Sequence, residues 1–287
     1  MSGEILPWHQ PILEKLQNRA KANTLPGAIA LICGEGWGGH ELIETAAFAL
    51  LGLTSQQPPH EIAHPDFCWV VPDGAVIKID QVRKLNAFAV QTPQISKCKV
   101  AVIVDAHLLN TNAANTLLKT LEEPPQNTHI LLSTPHWGRL LPTIRSRCQR
   151  FQVAQSAEDG TKWLAAKGVQ VSSQTFAQSG YAPLRVLEEE RFDLAGWLSD
   201  LESGRDPSTS IADILEADLV DTLSCWYRDI IWQQHENANR TLLAFADEIN
   251  QTRLQLETSN AANARLLVER LVYQWMQVVR LQRQRSG

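Results

Sequence analysis

The chain has 287 residues, with 26 Lys plus Arg against 31 Asp plus Glu, a formal charge of −5. Hydrophobic residues make up 44% and charged residues 20%, a globular mix that excludes a disordered or fibrous chain. The acidic balance also excludes a protein held to nucleic acid by its bulk charge, leaving only local basic patches for such contacts. At ~150 residues per domain the length predicts two domains, with one or three allowed. Five cysteines, Cys33, Cys68, Cys98, Cys148 and Cys225, form no C-x-x-C pair and predict free thiols in a reducing compartment. Glu4, Pro7, Trp8 and His9 stand where a signal peptide would begin with basic and apolar residues. No uncharged apolar stretch approaches the ~20 residues of a membrane span, so the expectation is a soluble, cytoplasmic protein.

Helical spacing of Ile12, Leu13, Leu16 and Ala20 predicts a helix over residues 12–22, closed by a turn at Leu25-Pro26-Gly27. Ala28 to Cys33 is a short apolar run suited to a strand buried on both faces. A glycine-rich turn, Gly34 to Gly39, and a helix from Glu41 to Leu51 follow, the opening of an α/β nucleotide-binding unit. Phe67 to Val71 reads as a strand. Ile77 to Ile79 reads as another, running into Asp80 as N-cap of a helix from Gln81 to Val90. Val100 to Val104 and His129 to Ser133 are apolar strands on either side of a helix from Asn112 to Glu123, which Pro124-Pro125 stops. A short helix over Leu140 to Arg147 and a strand over Gln149 to Val153 close the pattern. Alternating strands and helices predict a parallel sheet covered on both faces. Beyond Val153 only helices are predicted: two or three short ones over 156–190, a loop at 203–208, and helix from Ile211 to Arg285. The basic C-terminal end, with Arg265, Arg270, Arg280, Arg283 and Arg285 against Glu269, reads first as a solvated helix face.

The turn at 34–41 keeps half of a phosphate-binding loop. Gly34 and Gly39 have the spacing of G-x-x-x-x-G-K-[ST], but His40 replaces the phosphate-binding Lys and Glu41 replaces the Mg²⁺-binding hydroxyl. A glycine turn that binds nothing is the alternative on this segment alone. Asp105, at the end of an apolar strand, occupies the position of a Mg²⁺-coordinating Asp. Ala106 follows where an ATPase would place the Glu that polarises water. Asn115 to Pro125 (NTLLKTLEEPP) ends its helix on two acids, against the helix dipole, which points to an interface or a functional constraint. Leu140 to Cys148 (LLPTIRSRC), with Arg139 and Arg150, contributes four arginines and no acid.

With the HPD string His64-Pro65-Asp66, these motifs resemble the clamp-loader branch of the AAA+ family, strongly from about Ile5 to Val153 and collinearly beyond. The resemblance implies an AAA+ P-loop-like α/β domain at 1–153, a helical lid at 154–203 and an all-helical collar at 204–287. It implies a non-hydrolysing subunit with no bound cofactor, beside gamma/tau-type ATPase subunits and a delta subunit. Sliding clamp and primer-template DNA would be met through the assembled complex, part of a DNA-directed DNA polymerase holoenzyme, although nothing here resembles a polymerase active site. By the same resemblance Ser146-Arg147-Cys148 carries an arginine finger, Arg147, for a neighbour's ATP site; Thr134 matches sensor 1, and Arg185 lies near sensor 2. Family members usually carry a four-cysteine zinc module before the HPD string; here residues 52–64 hold no cysteine, and His60, His64 and Cys68 are too scattered, so no metal is expected. An active loader ATPase and a free-standing DNA-binding adaptor are the competing readings.

Overall fold

A computed structural model describes residues 5–54, 57–188, 192–234, 238–258 and 262–286. These divide into two compact units, Met1–Trp163 and Leu164–Gly287.

The first unit opens with helix α1 (Gln10–Lys21), strand β1 (Ala28–Ile32) and helix α2 (Gly39–Leu51). Strand β2 (Phe67–Val70), helix α3 (Ile79–Ala89) and strand β3 (Lys99–Ile103) follow. Helix α4 (Thr111–Glu122), strand β4 (Thr128–Thr134), helix α5 (Pro142–Arg145) and strand β5 (Gln149–Gln152) complete it. The five strands are all parallel, in the order β2-β3-β4-β1-β5. Every residue of β1 and β3 is buried, which is why both read as continuous apolar runs instead of alternating ones. On one face, Ala28, Ala101, Ile103, Ile130 and Leu132 share a core with α3, α4 and α5. The buried residues of α2 lie outside that cluster, and the helix packs on β1, β3 and β4 from the other face. The α/β class implied by the resemblance is the one observed.

The order places β1, β4 and β3 side by side, so the loops at their C-terminal ends converge, where open α/β sheets bind ligands. One sequence expectation is corrected in this unit. Ile77 to Ile79 is not a strand: Ile77 forms a single bridge to Leu109, and α3 starts at Ile79 with Lys78 as N-cap. The Gln81 side chain reaches back to accept the Lys78 N–H at 2.9 Å, so the helix begins before Asp80, which sits in its first turn. Asn110 caps α4 by accepting the Ala113 N–H at 2.8 Å.

Helix α6 (Ala157–Ala166) spans the division between the units. The second unit is helical throughout its described residues: α7 (Ser173–Gln178), α8 (Pro183–Val186), α9 (Leu194–Glu202), α10 (Pro207–Glu216), α11 (Leu219–Gln233), α12 (Arg240–Thr258) and α13 (Ala264–Ser286). The helical stretch expected from Ile211 onward is observed as four helices, α10 to α13. Asp218 breaks the run by capping α11, accepting the Asp221 N–H at 3.0 Å. Fully buried Trp226 centres this core, with the rings of Trp197, Phe245 and Trp275 at 5.2 to 5.7 Å in edge-on packing. Helix α9 contributes Leu194, Trp197, Leu198 and Leu201 to the same core. The side chains of Arg283 and Arg285 lie outside the described residues.

Candidate functional site

Cys33 and the glycine turn follow β1. Gly38 sits at φ +81° and turns the chain into α2; a Cβ there would collide with Leu6 and His9. The turn is filled from inside by Trp37, which is buried. Its carbonyl accepts three donors: Trp8 Nε1 at 2.8 Å, His9 Nε2 at 2.8 Å and Cys33 Sγ at 3.3 Å. The Trp8 ring lies 4.9 Å from Trp37 and 5.5 Å from Trp163. Burial drives both groups toward neutrality. It pushes His9 below its ordinary value and lifts the Cys33 thiol to about 12, the Glu41 charge adding to the latter. The Gln155 side chain lies against the Gly34 α-carbon.

His40 and Asp105, at the two degenerate ATPase positions, meet. His40 Nε2 donates to Asp105 Oδ2 at 3.0 Å. That hydrogen bond raises the pKa of His40 against the opposing effect of burial. On Asp105, burial acts upward but is outweighed by the His40 hydrogen bond and by the charges of His40, His107 and His136. Ala106 is fully buried and puts a methyl group where an ATPase would place a water-polarising acid. Thr134, at the end of β4, is also buried; its hydroxyl accepts the His136 N–H at 3.0 Å and lies 3.3 Å from His107 Nδ1. His136 Nε2 pairs with Glu35 Oε1 across the loop mouth at 2.9 Å. Glu35, His107 and His136 were not singled out from sequence; single residues 29 to 101 positions apart leave no local signal.

These residues are a poor match to Mg-ATP. The only cationic side chain at the Lys position is an imidazole already committed to Asp105, and Glu35 and Glu41 place negative charge where a triphosphate would lie.

The second cluster is Ser146-Arg147-Cys148 with the end of α4. Arg147 Nη1 donates to Thr143 O at 3.0 Å and to Ser146 Oγ at 3.4 Å, while Nη2 donates to Glu122 Oε1 at 3.2 Å. The Ser146 hydroxyl in turn donates to Thr143 O at 3.1 Å. Cys148 packs against the α3–α5 core, and burial lifts its thiol to about 12, so it anchors the motif and is no nucleophile at neutral pH. The acid pair that opposes the α4 dipole thus has a partner: Glu122 binds the arginine of the other conspicuous motif. Arg185, in the second unit, is paired with Asp221 at 2.9 Å.

The HPD string has a structural reading. His64 Nδ1 accepts the Asp66 N–H at 3.1 Å. The buried Asp66 carboxylate accepts three backbone N–H groups, of Gln94 and Ile95 at 2.7 Å and of Ser96 at 2.8 Å. Equally buried Lys99 places Nζ 3.6 Å from Asp66, donates to Pro65 O at 2.9 Å, and lies 4.0 Å from the centre of the Phe88 ring. Burial pushes Asp66 upward, but the three N–H bonds and Lys99 hold it down at about 2. Among the described residues no group of three or more His, Cys, Asp or Glu side chains is placed to hold a metal. His60 pairs with Glu61, and burial lifts the Cys68 thiol to about 11. No described helix is long and apolar enough to cross a membrane.

A family model described as "DNA polymerase III, delta subunit" matches residues 8–157. The delta' subunit of DNA polymerase III from Pseudomonas aeruginosa is 28% identical, covering 95% of this chain and 98% of its own length. The Escherichia coli delta' subunit is 33% identical over 55% of this chain and 52% of its own length. A solved structure of a gamma subunit-related protein of DNA polymerase III from Thermotoga maritima superimposes with a TM-score of 0.57 at 19% identity, covering 93% of this chain and 99% of that one. At that identity the likeness speaks to the fold.

Proposed function

Because the chain belongs to the DNA polymerase III delta-subunit family, we propose that it serves as a delta-prime-type stator of a bacterial clamp loader: it hydrolyses no ATP and lends Arg147 to a neighbouring subunit's ATP site. The observation that carries this reading is the His40–Asp105 hydrogen bond, which joins the two positions an ATPase would devote to phosphate and Mg²⁺. In this reading residues 1–153 are the AAA+ core, 154–203 the lid and 204–287 a collar against neighbouring subunits. The neighbours are gamma/tau-type ATPase subunits and a delta subunit. The assembled complex meets the sliding clamp and primer-template DNA as part of the cytoplasmic polymerase holoenzyme.

This chain's own residues set what it contributes. Arg147 supplies a planar guanidinium fork, which spans two phosphate oxygens and stabilises charge developing on the transferred group. Ser146 and Cys148 fix the turn that carries it. The test is ATP turnover by the reconstituted loader. In related NTPases such a finger contributes ~10³–10⁵-fold at its own site. Arg147→Ala therefore lowers total turnover by that one site's share, and Arg147→Lys rescues poorly at low and moderate salt alike. Full activity of both variants refutes the finger. Good rescue by Lys with a defect that fades at low salt assigns Arg147 to a DNA phosphate instead.

A further inference from the structure

In the isolated chain the Arg147 guanidinium is folded back on its own turn. It is held by Thr143 O, by Ser146 Oγ and, through Nη2, by the Glu122 carboxylate at 3.2 Å. This position does not use the whole fork. Arg147 Nε is buried without a hydrogen-bond partner, a donor that only another arrangement satisfies. The pair lies at the solvent edge, with 29% of the Arg147 side chain and 59% of the Glu122 side chain exposed. Exposed pairs of this kind are weak and readily exchanged. Glu122 stands on an anchored helix end. It occupies the last turn of α4, where a carboxylate opposes the helix dipole, and Pro124 just beyond it packs so closely on Gly27 that no Cβ fits there. The backbone beneath the acceptor is therefore held in place, the donor fork is incompletely used, and the acid sits where local helix energetics disfavour it.

We propose that Glu122 is a positioning residue that occupies the guanidinium of Arg147 as an internal stand-in for phosphate, so that the finger engages a neighbouring triphosphate only by exchanging carboxylate for phosphate. The exchange breaks one N–H···O hydrogen bond and forms others, with no proton or covalent bond transferred. It frees Nε to complete the fork. This inference rests on the finger reading of Arg147 given above and adds a restraint on it: the carboxylate competes with the nucleotide.

The restraint has a sign that mere structural support lacks. Removing a supporting residue lowers activity; removing a competitor raises it. The experiment measures kcat/KM for ATP in the reconstituted loader with parent chain, Glu122→Gln, Arg147→Ala and the double variant. Glu122→Gln keeps the shape and removes the charge. It is expected to raise kcat/KM about two- to fivefold, the range set by an exposed ion pair. The gain shrinks as salt rises and vanishes in the Arg147→Ala background. An unchanged or lower kcat/KM for Glu122→Gln, with Arg147→Ala impaired, overturns the inference and leaves the finger standing. A gain that persists without Arg147 also overturns it. Full turnover by Arg147→Ala removes the finger itself, and the inference with it.

Discussion

Replacing Asp66 by Asn tests the account of the HPD string at its most exposed point. The substitution is isosteric, so only charge and hydrogen-bond character change. Gln94 N–H donates to one carboxylate oxygen, while Ile95 and Ser96 N–H donate to the other. An amide oxygen can keep the latter two; its NH₂ then faces the Gln94 N–H, donor against donor. Leaving one buried N–H unsatisfied costs about 1–3 kcal/mol. Lys99, fully buried, also loses the only carboxylate shown beside it, and orphaning one member of a buried pair costs about 3–5 kcal/mol. The two penalties overlap, so the expected loss is about 3–5 kcal/mol. With a urea slope of ~2 kcal/mol/M, the unfolding midpoint of the first unit falls by about 1.5–2.5 M. Amide exchange at Gln94, Ile95 and Ser96 accelerates in the same variant. Lys99→Met on top of Asp66→Asn recovers part of the loss, because the stranded ammonium is gone. A midpoint within about 0.25 M of the parent, at that slope under about 0.5 kcal/mol, refutes the reasoning. So does Lys99→Met making the Asp66→Asn chain still weaker.

The His40–Asp105 link predicts a pH dependence of definite sign. Its hydrogen bond raises the pKa of His40 above the ordinary 6.5. Its stabilisation is therefore complete below that ordinary value and fades as pH rises through the raised one. The difference in unfolding midpoint between parent and His40→Ala is larger at pH 6 than at pH 9, and a difference that grows with pH contradicts the assignment. In the second unit, Trp226→Ala costs about 3–5 kcal/mol by emptying the centre of the aromatic core. Trp226→Phe costs markedly less, since the buried indole N–H has no partner to lose. Equal losses for the two, read from denaturant melts, rule out a packing origin.

What could be read from sequence divides along chain distance. Strands β1 and β3 were legible because burial on both faces makes a near-continuous apolar run, broken in β3 only by Lys99 at its start. The start of α3 was not, because the choice between Lys78 and Asp80 as cap depends on where one Gln81 side chain turns. The break between α10 and α11 was hidden because it turns on one side chain, Asp218, capping the next helix. At the site, His40, Asp105 and Ala106 stood out by departing from a fixed motif. Their meeting was illegible, since His40 and Asp105 are 65 positions apart and joined only by the sheet order. Glu122 announced itself as an acid on the wrong helix end, yet nothing local named Arg147 as its partner. Asp66 belonged to a visible string whose purpose depends on amides 28 to 30 residues away.

The position of β1 bears on how this chain survives its own synthesis. Ala28 pairs with Ile130 in β4, and Ile29 pairs with Gln149 in β5, so this interior strand has no sheet neighbour within roughly 100 residues of itself. At about 5–20 residues per second a ribosome needs ~5–20 s to deliver β4 after β1. For that interval AIALI is an unpaired, uncharged, β-prone segment, the composition that seeds intermolecular pairing. Pro26 and Gly27 guard its leading end, and the glycine turn guards the other. Helices α1 and α2, which flank β1 and emerge with it, are the elements at hand to cover it meanwhile. Translation is thus the interval in which this strand exists without the partners that later pair it.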